Sequence, residues 1–364
     1  MDIYMYWLTT LYMLGSHKQN SLIRHFGEPR LAFTATDDAL AKVPTLTPHH
    51  IKIIKKNRNQ KVLEYGFEML EKRNISFTYL GHTKYPNMLN DIQDPPIGLF
   101  YLGDFPSNNL MRAAIIGSRR CSEYGLNTAN TLAKVLAKNN VVVVSGMARG
   151  IDSMAHRGAL DAGGLTIAVL GCGIDICYPA ENLELRDKIA RNGCVISEYP
   201  PGVAPRAMHF PARNRIISGL SKVVVVAEAA KRSGTLITVD QALEQGREVM
   251  AVPGNITNKY SEGTNNLIKQ GAEPICAYED VLNIIGISSD KYFEGNRKTR
   301  TAESELDLAN DEKLVYDALS AEPLTIEEII VKTSTQPQIL QHILLTLELK
   351  GYAKRLPGAR YIKI

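Results

Sequence analysis

The chain has 364 residues, room for two or three domains of ordinary size. Hydrophobic residues make up 45%, charged residues 22% and aromatic residues 7%, which excludes a mostly disordered, collagen-like or disulfide-scaffold protein. The 42 basic and 38 acidic residues leave a formal charge of +4, which excludes a broadly basic nucleic-acid coat.

The charge is unevenly spread. Residues 1–80 carry 11 basic and 7 acidic groups, residues 81–296 carry 21 of each, residues 297–305 carry 3 and 2, and residues 306–364 carry 7 and 8. The five cysteines, Cys121, Cys172, Cys177, Cys194 and Cys276, form no CxxC pair, and no His lies near Cys172 and Cys177. No metal site is expected, and scattered thiols fit a reducing cytoplasm. No apolar run approaches the ~18–20 residues that span a bilayer, so no membrane contact is expected. The apolar start, Met1 to Leu14, has Asp2 where a signal peptide has a basic region, and reads as a buried helix.

Residues 1–76 predict a helical domain. Apolar residues recur at helical spacing in Leu8, Leu11 and Tyr12, in Ile51 and Ile54, and in Val62, Tyr65 and Met69. Gly15 and Gly27 mark turns between them. Short helix pairs joined by a Gly turn hold a DNA backbone in helix-hairpin-helix units and are also common packing units; both readings stand. Residues 77–110 read as a Pro-rich lead-in to the next domain, which runs to 286.

Apolar, β-branched runs at 113–116, 141–145, 166–170, 194–197, 223–227 and 248–252 alternate with helical stretches. Continuous apolar strands of this kind belong to a parallel sheet covered on both faces. Right-handed crossovers make it an α/β, Rossmann-like, doubly wound sheet. Residues 287–305 read as a polar linker. Residues 306–364 give a helix, a helix-turn-helix with its longer helix at 335–349, and a hairpin at 351–362, which is winged-helix order.

Ligands of open α/β sheets bind beyond the carboxyl ends of the strands, so the turns there carry the chemistry. The first is Gly117-Ser118-Arg119-Arg120: a Gly for close approach, a Ser that caps or donates, and an Arg fork for a phosphate. The second, Ser145-Gly146-Met147-Ala148-Arg149-Gly150-Ile151-Asp152, places Asp152 and His156 one helical turn apart, readable as acid–base equipment; a capping Asp with a satisfied His is the favoured reading, since no nucleophile accompanies them. The third, Gly171-Cys172-Gly173, lacks the third Gly of a dinucleotide fingerprint, and no Walker A sequence occurs.

The fourth turn is the clearest anomaly. From Tyr199 to Ala227 there is no acidic residue, and His209-Phe210-Pro211-Ala212-Arg213-Asn214-Arg215 places an aromatic among bases. Arginines neutralise phosphates, and an aromatic face stacks any nucleobase for about 1–3 kcal/mol. The fifth turn holds Glu228, readable as a general base or as a loop tie, and Ser233-Gly234-Thr235 at a helix start suited to phosphate. Ser145 and Gly146 offer further loop support.

Several strings in order resemble one family: Gly-Ser-Arg at 117–119, Ser-Gly-x-Ala-x-Gly-Ile-Asp at 145–152, Ala-Val-Leu-Gly-x-Gly at 168–173, Phe-Pro-x-Arg-Asn-Arg-Ile-Ile-Ser-Gly-Leu-Ser at 210–221, Ser-Gly-Thr at 233–235 and Val-Pro-Gly-Asn at 252–255. The chain resembles the bacterial DNA-processing DprA family, also called Smf. The resemblance implies a non-enzymatic cytoplasmic protein, without a cofactor, that binds single-stranded DNA irrespective of sequence in natural transformation. It implies protection of incoming strands, help in loading the RecA recombinase, and a homodimer formed through the Rossmann-like domain. Gly117, Ser118 and Arg119 fall in the family's phosphate-binding turn. Phe210 and Arg213 fall in its DNA-binding segment, and Asn214 and Arg215 follow as DNA contacts or structural residues. The competing reading is a nucleotide-processing enzyme on a phosphoribohydrolase-like sheet; Ser233-Gly234-Thr235 keeps only part of that family's glycine turn. The candidate recognition helix, 335–349, has no Lys or Arg, so the winged-helix unit is expected to bind DNA weakly at most.

Overall fold

In the computed structural model, residues 2–287, 308, 310–320 and 322–363 are described. They belong to two compact units, Met1–Ile287 and Ser288–Ile364. The predicted linker lies outside the described residues from position 288 onward.

The first unit opens with six helices: α1 (Asp2–Thr10), α2 (Ser16–Phe26), α3 (Pro29–Thr34), α4 (Asp37–Ala41), α5 (Pro48–Lys56) and α6 (Gln60–Lys72). Local signals set their starts. Pro occupies the first turn of α3 and α5, and the side chains of Thr36 and Asn59 accept from the backbone of Ala39 and Val62 to cap α4 and α6. Their apolar faces share one core with the sheet: Trp7, Leu8, Leu22 and Ile54 pack in the same cluster as Phe100, Ala168 and Val195. The helical segment is thus joined to the sheet by continuous burial rather than by a tether.

Nine strands form one sheet: β1 (Ser76–Tyr79), β2 (Gly98–Gly103), β3 (Arg112–Gly117), β4 (Val142–Ser145), β5 (Thr166–Leu170), β6 (Gly193–Ser197), β7 (Val223–Glu228), β8 (Glu248–Ala251) and β9 (Glu273–Pro274). The order is β1-β2-β6-β5-β4-β3-β7-β8-β9. The predicted runs are β3 to β8, and they pair in parallel. The stretch read as a Pro-rich lead-in instead contributes β1 and β2; β1 pairs antiparallel with β2, and β2 antiparallel with β6. The sheet is therefore mixed, with a parallel centre.

Both faces are buried, as the apolar strands demand. Ala114, Ile116 and Val224 belong to one core cluster, and their neighbours Ala113, Ile115 and Val223 to another. The covering helices are α7 (Glu123–Lys138), α8 (Ile151–Asp161), α9 (Leu183–Arg191), α10 (His209–Gly219), α11 (Thr235–Glu244), α12 (Glu262–Lys269) and α13 (Asp280–Ile285). From β3 the chain builds outward through β4, β5 and β6, then returns to place β7 on the other side of β3. The switch point, where a crevice opens between diverging connections, is therefore at the carboxyl ends of β3 and β7.

The second unit holds α14 (Asn310–Ala318), β10 (Leu324–Thr325), α15 (Ile326–Thr333), α16 (Pro337–Leu349), β11 (Ala353–Leu356) and β12 (Arg360–Lys363). The strands pair in the order β10-β12-β11. Thr325 and Glu328 form a reciprocal capping box at α15, and Val315, Ile329, Leu344 and Tyr361 share its core.

Candidate nucleic-acid interface

The switch point carries a cleft of about 800 Å³. Its floor begins with the turn after β3. The Ser118 backbone N–H donates to the Glu228 carbonyl at 2.8 Å, fastening the ends of β3 and β7 together. Glycine is required here by packing: a Cβ on Gly117 would stand 2.5 Å from Ile151 and 2.9 Å from the Glu228 carbonyl oxygen. Gly150, at φ 75°, lets α8 begin against the same turn, where a Cβ would meet the Ser118 carbonyl oxygen at 2.6 Å.

Arg119 is exposed, and its guanidinium lies 5.2 Å from the centre of the Phe210 ring. Phe210 in turn stacks on Tyr178, with centroids 5.5 Å apart and planes 30° apart. A Cβ on Gly171 would stand 2.8 Å from Phe210, so the glycine after β5 is what seats the ring. The result is a cation, two aromatic faces and a helix start on one wall of the cleft.

Arg213 also lines the cleft but is buried. Its Nη1 donates to the carbonyl of Gly146 at 2.7 Å and to that of Val169, and its Nε donates to Asn214 Oδ1 at 3.1 Å. It therefore clamps the ends of β4 and β5. Burial lowers its pKa, and the nearby Asp152 carboxylate opposes that shift. Asp152 is itself buried; desolvation raises its pKa, while Arg213 and the backbone N–H groups of Ala148 and Gly146 pull it back. His156 donates or accepts at Thr166 Oγ1 over 2.7 Å, and burial holds its pKa down to about 3, so it is neutral and structural.

Gly117, Ser118, Arg119, Phe210, Arg213 and Asn214 are brought together in the cleft, with Ser233, Gly234 and Thr235 on its other side. Arg215 turns elsewhere, donating to Glu198 Oε1 at 2.6 Å in a largely buried ion pair. Ser145 is buried and donates to the Ile115 carbonyl at 2.6 Å. Gly146 acts through its carbonyl, as the Arg213 acceptor. Glu228 is 1% exposed, and its two carboxylate oxygens accept from the Ser122 N–H and hydroxyl at 2.7 Å each. It is the loop tie of the two readings, spent on the start of α7.

Arg120 of the first turn lines the cleft too, as do Tyr178, Arg232 and Tyr260, which are not among the sequence-predicted site residues. Tyr178 ends the third turn, and an aromatic at a strand-end turn was the available signal. Among the lining residues Asp152 is the sole acid, against four arginines. No cluster of three potential metal ligands occurs among the described residues, and the five cysteines are free. Among those residues, too, no helix is long and apolar enough to cross a membrane.

Fold and site define a Rossmann-like protein with a cationic, aromatic-walled cleft at its switch point and a winged-helix module after it. Residues 76–286 match the family described as DNA recombination-mediator protein A, and residues 299–359 match the DprA winged helix domain. The chain belongs to the DprA/Smf family of DNA-processing recombination mediators. It is 47% identical over 198 residues to the DNA processing protein DprA of Streptococcus pneumoniae, covering 54% of this chain and 70% of that one. It is 32% identical over 389 residues to the Smf protein of Synechocystis, covering 98% of both. Among solved structures, DprA of Streptococcus pneumoniae superposes with a TM-score of 0.68 at 35% identity, over 78% of this chain and 97% of that one. DprA of Helicobacter pylori, a structure described in terms of its single-stranded DNA binding mode, gives 0.52 at 33% identity, over 58% and 95%.

Proposed function

We propose that this protein binds single-stranded DNA without sequence preference in the β3–β7 cleft. In this reading it protects incoming strands in the cytoplasm and helps load the RecA recombinase onto them during natural transformation. It works as a homodimer and turns over no substrate. The observation that carries the reading is the Arg119–Phe210–Tyr178 wall: the guanidinium suits phosphate and the stacked rings suit any base. The single-stranded DNA binding of the Helicobacter pylori relative supports it. So does Glu228, which is buried and accepts from the Ser122 N–H and hydroxyl.

The test is a salt titration of single strands against duplex. Log affinity for single strands falls linearly with log salt, and Arg119→Ala weakens every sequence about equally and reduces the slope by about one. Duplex bound as tightly as single strands, or Arg119→Ala without effect, refutes the assignment. Free base released from nucleoside monophosphates would favour an enzyme instead.

A further inference from the structure

The cleft has a second aromatic group, apart from the Phe210–Tyr178 wall. Tyr260 lines it from the connection between β8 and α12, while Tyr178 follows β5. In the sheet β4, β3 and β7 stand between β5 and β8. Those are four interstrand spacings, about 19 Å at the usual 4.7–4.9 Å each. Tyr178 and Tyr260 therefore enter the cleft on loops that leave strand ends four places apart.

The Tyr260 end has the parts a strand needs. The Lys259 ammonium lies 5.2 Å from the Tyr260 ring centre, and Arg232 lines the same cleft. The connection is held in shape before any ligand arrives. The Tyr260 N–H donates to Asn258 Oδ1 at 3.0 Å, and the Asn265 side chain bridges the N–H and carbonyl of Gly254 at 3.1 and 3.0 Å. A ring on a held backbone, with Lys259 against it and Arg232 in the same cleft, is a stacking face with phosphate partners in that cleft.

Building on the single-strand reading, we propose that Tyr260, with Lys259 and Arg232, is a second nucleobase platform. The cleft then holds one DNA strand at two separated bases, with its intervening phosphates over the Arg119 turn.

The experiment is fluorescence anisotropy of the full chain with oligothymidylates from about two to about twenty nucleotides, a range bracketing typical site sizes of about 4–16. Tyr260→Ala is expected to lose about ten-fold in affinity on the longest strand and nothing on the shortest. Tyr260→Phe keeps the wild-type value at every length, and Lys259→Ala lowers the salt slope by about one on long strands only. Equal loss by Tyr260→Ala at all lengths, or no loss at any, overturns the second platform while leaving single-strand binding standing. A wild-type chain that binds no single strand of any length overturns both.

Discussion

Arg119 and Arg213 share a side chain and have opposite surroundings, and their substitution should separate binding from stability. Arg119 is exposed over Phe210, so Arg119→Ala leaves folding stability within about 0.5 kcal/mol while weakening DNA. Arg213→Met strands the carbonyls of Gly146 and Val169 and deprives Asp152 of its cation. That loss should destabilise the fold by about 2–4 kcal/mol, read as a lower urea midpoint at unchanged m-value. A midpoint for Arg213→Met equal to wild type would show that the clamp contributes nothing. The acid-free run from Tyr199 to Ala227 made the basic character of this segment legible, but not the direction of each base. Arg213 and Arg215 stand two residues apart on α10, and at 3.6 residues per turn they point to different faces, one to the cleft floor and one to Glu198. The place of Glu228 is likewise set by Ser122, which donates to both of its oxygens, a contact over 106 positions that no local pattern encodes.

Among the elements, the parallel strands were legible because burial on both faces writes itself as an unbroken apolar run. β1 and β2 were not. They are edge-side antiparallel strands of four and six residues, set among Pro and Gly, and what makes them strands is the pairing of β1 with β2 and of β2 with β6. The apolar N-terminal helices were visible as helices, but not their attachment. Tyr12, just after α1, meets the edges of the His209 and Tyr199 rings at 6.2 and 6.0 Å, and those two rings stack at 4.3 Å. His209 begins α10 and precedes Phe210, so the helical segment braces the helix that carries the stacking wall. Tyr12→Ala should cost about 1–3 kcal/mol of stability, and Tyr12→Leu less, because the packing volume is largely kept. Chemical denaturation checks this; equal midpoints for Tyr12→Ala and wild type would remove the brace.

On the scale of the whole molecule, the small total charge and the basic cleft are compatible because the cleft is a local arrangement on a sheet region with 21 bases and 21 acids between residues 81 and 296. A pocket of this kind draws affinity from a few phosphate contacts and stacking, not from a broad field. The winged-helix module follows a different logic. A helix that reads a DNA groove presents cations to the backbone and donors to the bases, whereas α16 holds no Lys or Arg and its single charge is Glu348. Its exposed residues mix Gln338, Gln341, His342 and Glu348 with the apolar Ile339, Leu345 and Leu349, which are 49%, 54% and 80% exposed. The module as a whole carries 7 bases against 8 acids over 306–364, with the bases gathered near the hairpin at Lys350, Lys354, Arg355, Arg360 and Lys363. Backbone contact of that sort is weak and screened by salt. A chain ending at Ile287 should therefore bind single-stranded DNA within about two-fold of the full chain at physiological salt, a difference below about 0.5 kcal/mol. The comparison is an anisotropy titration of the two proteins on the same strand at matched ionic strength. A ten-fold weaker truncated chain would place a major part of the DNA contact in the module and would mean that the charge-poor face of α16 is not what limits it.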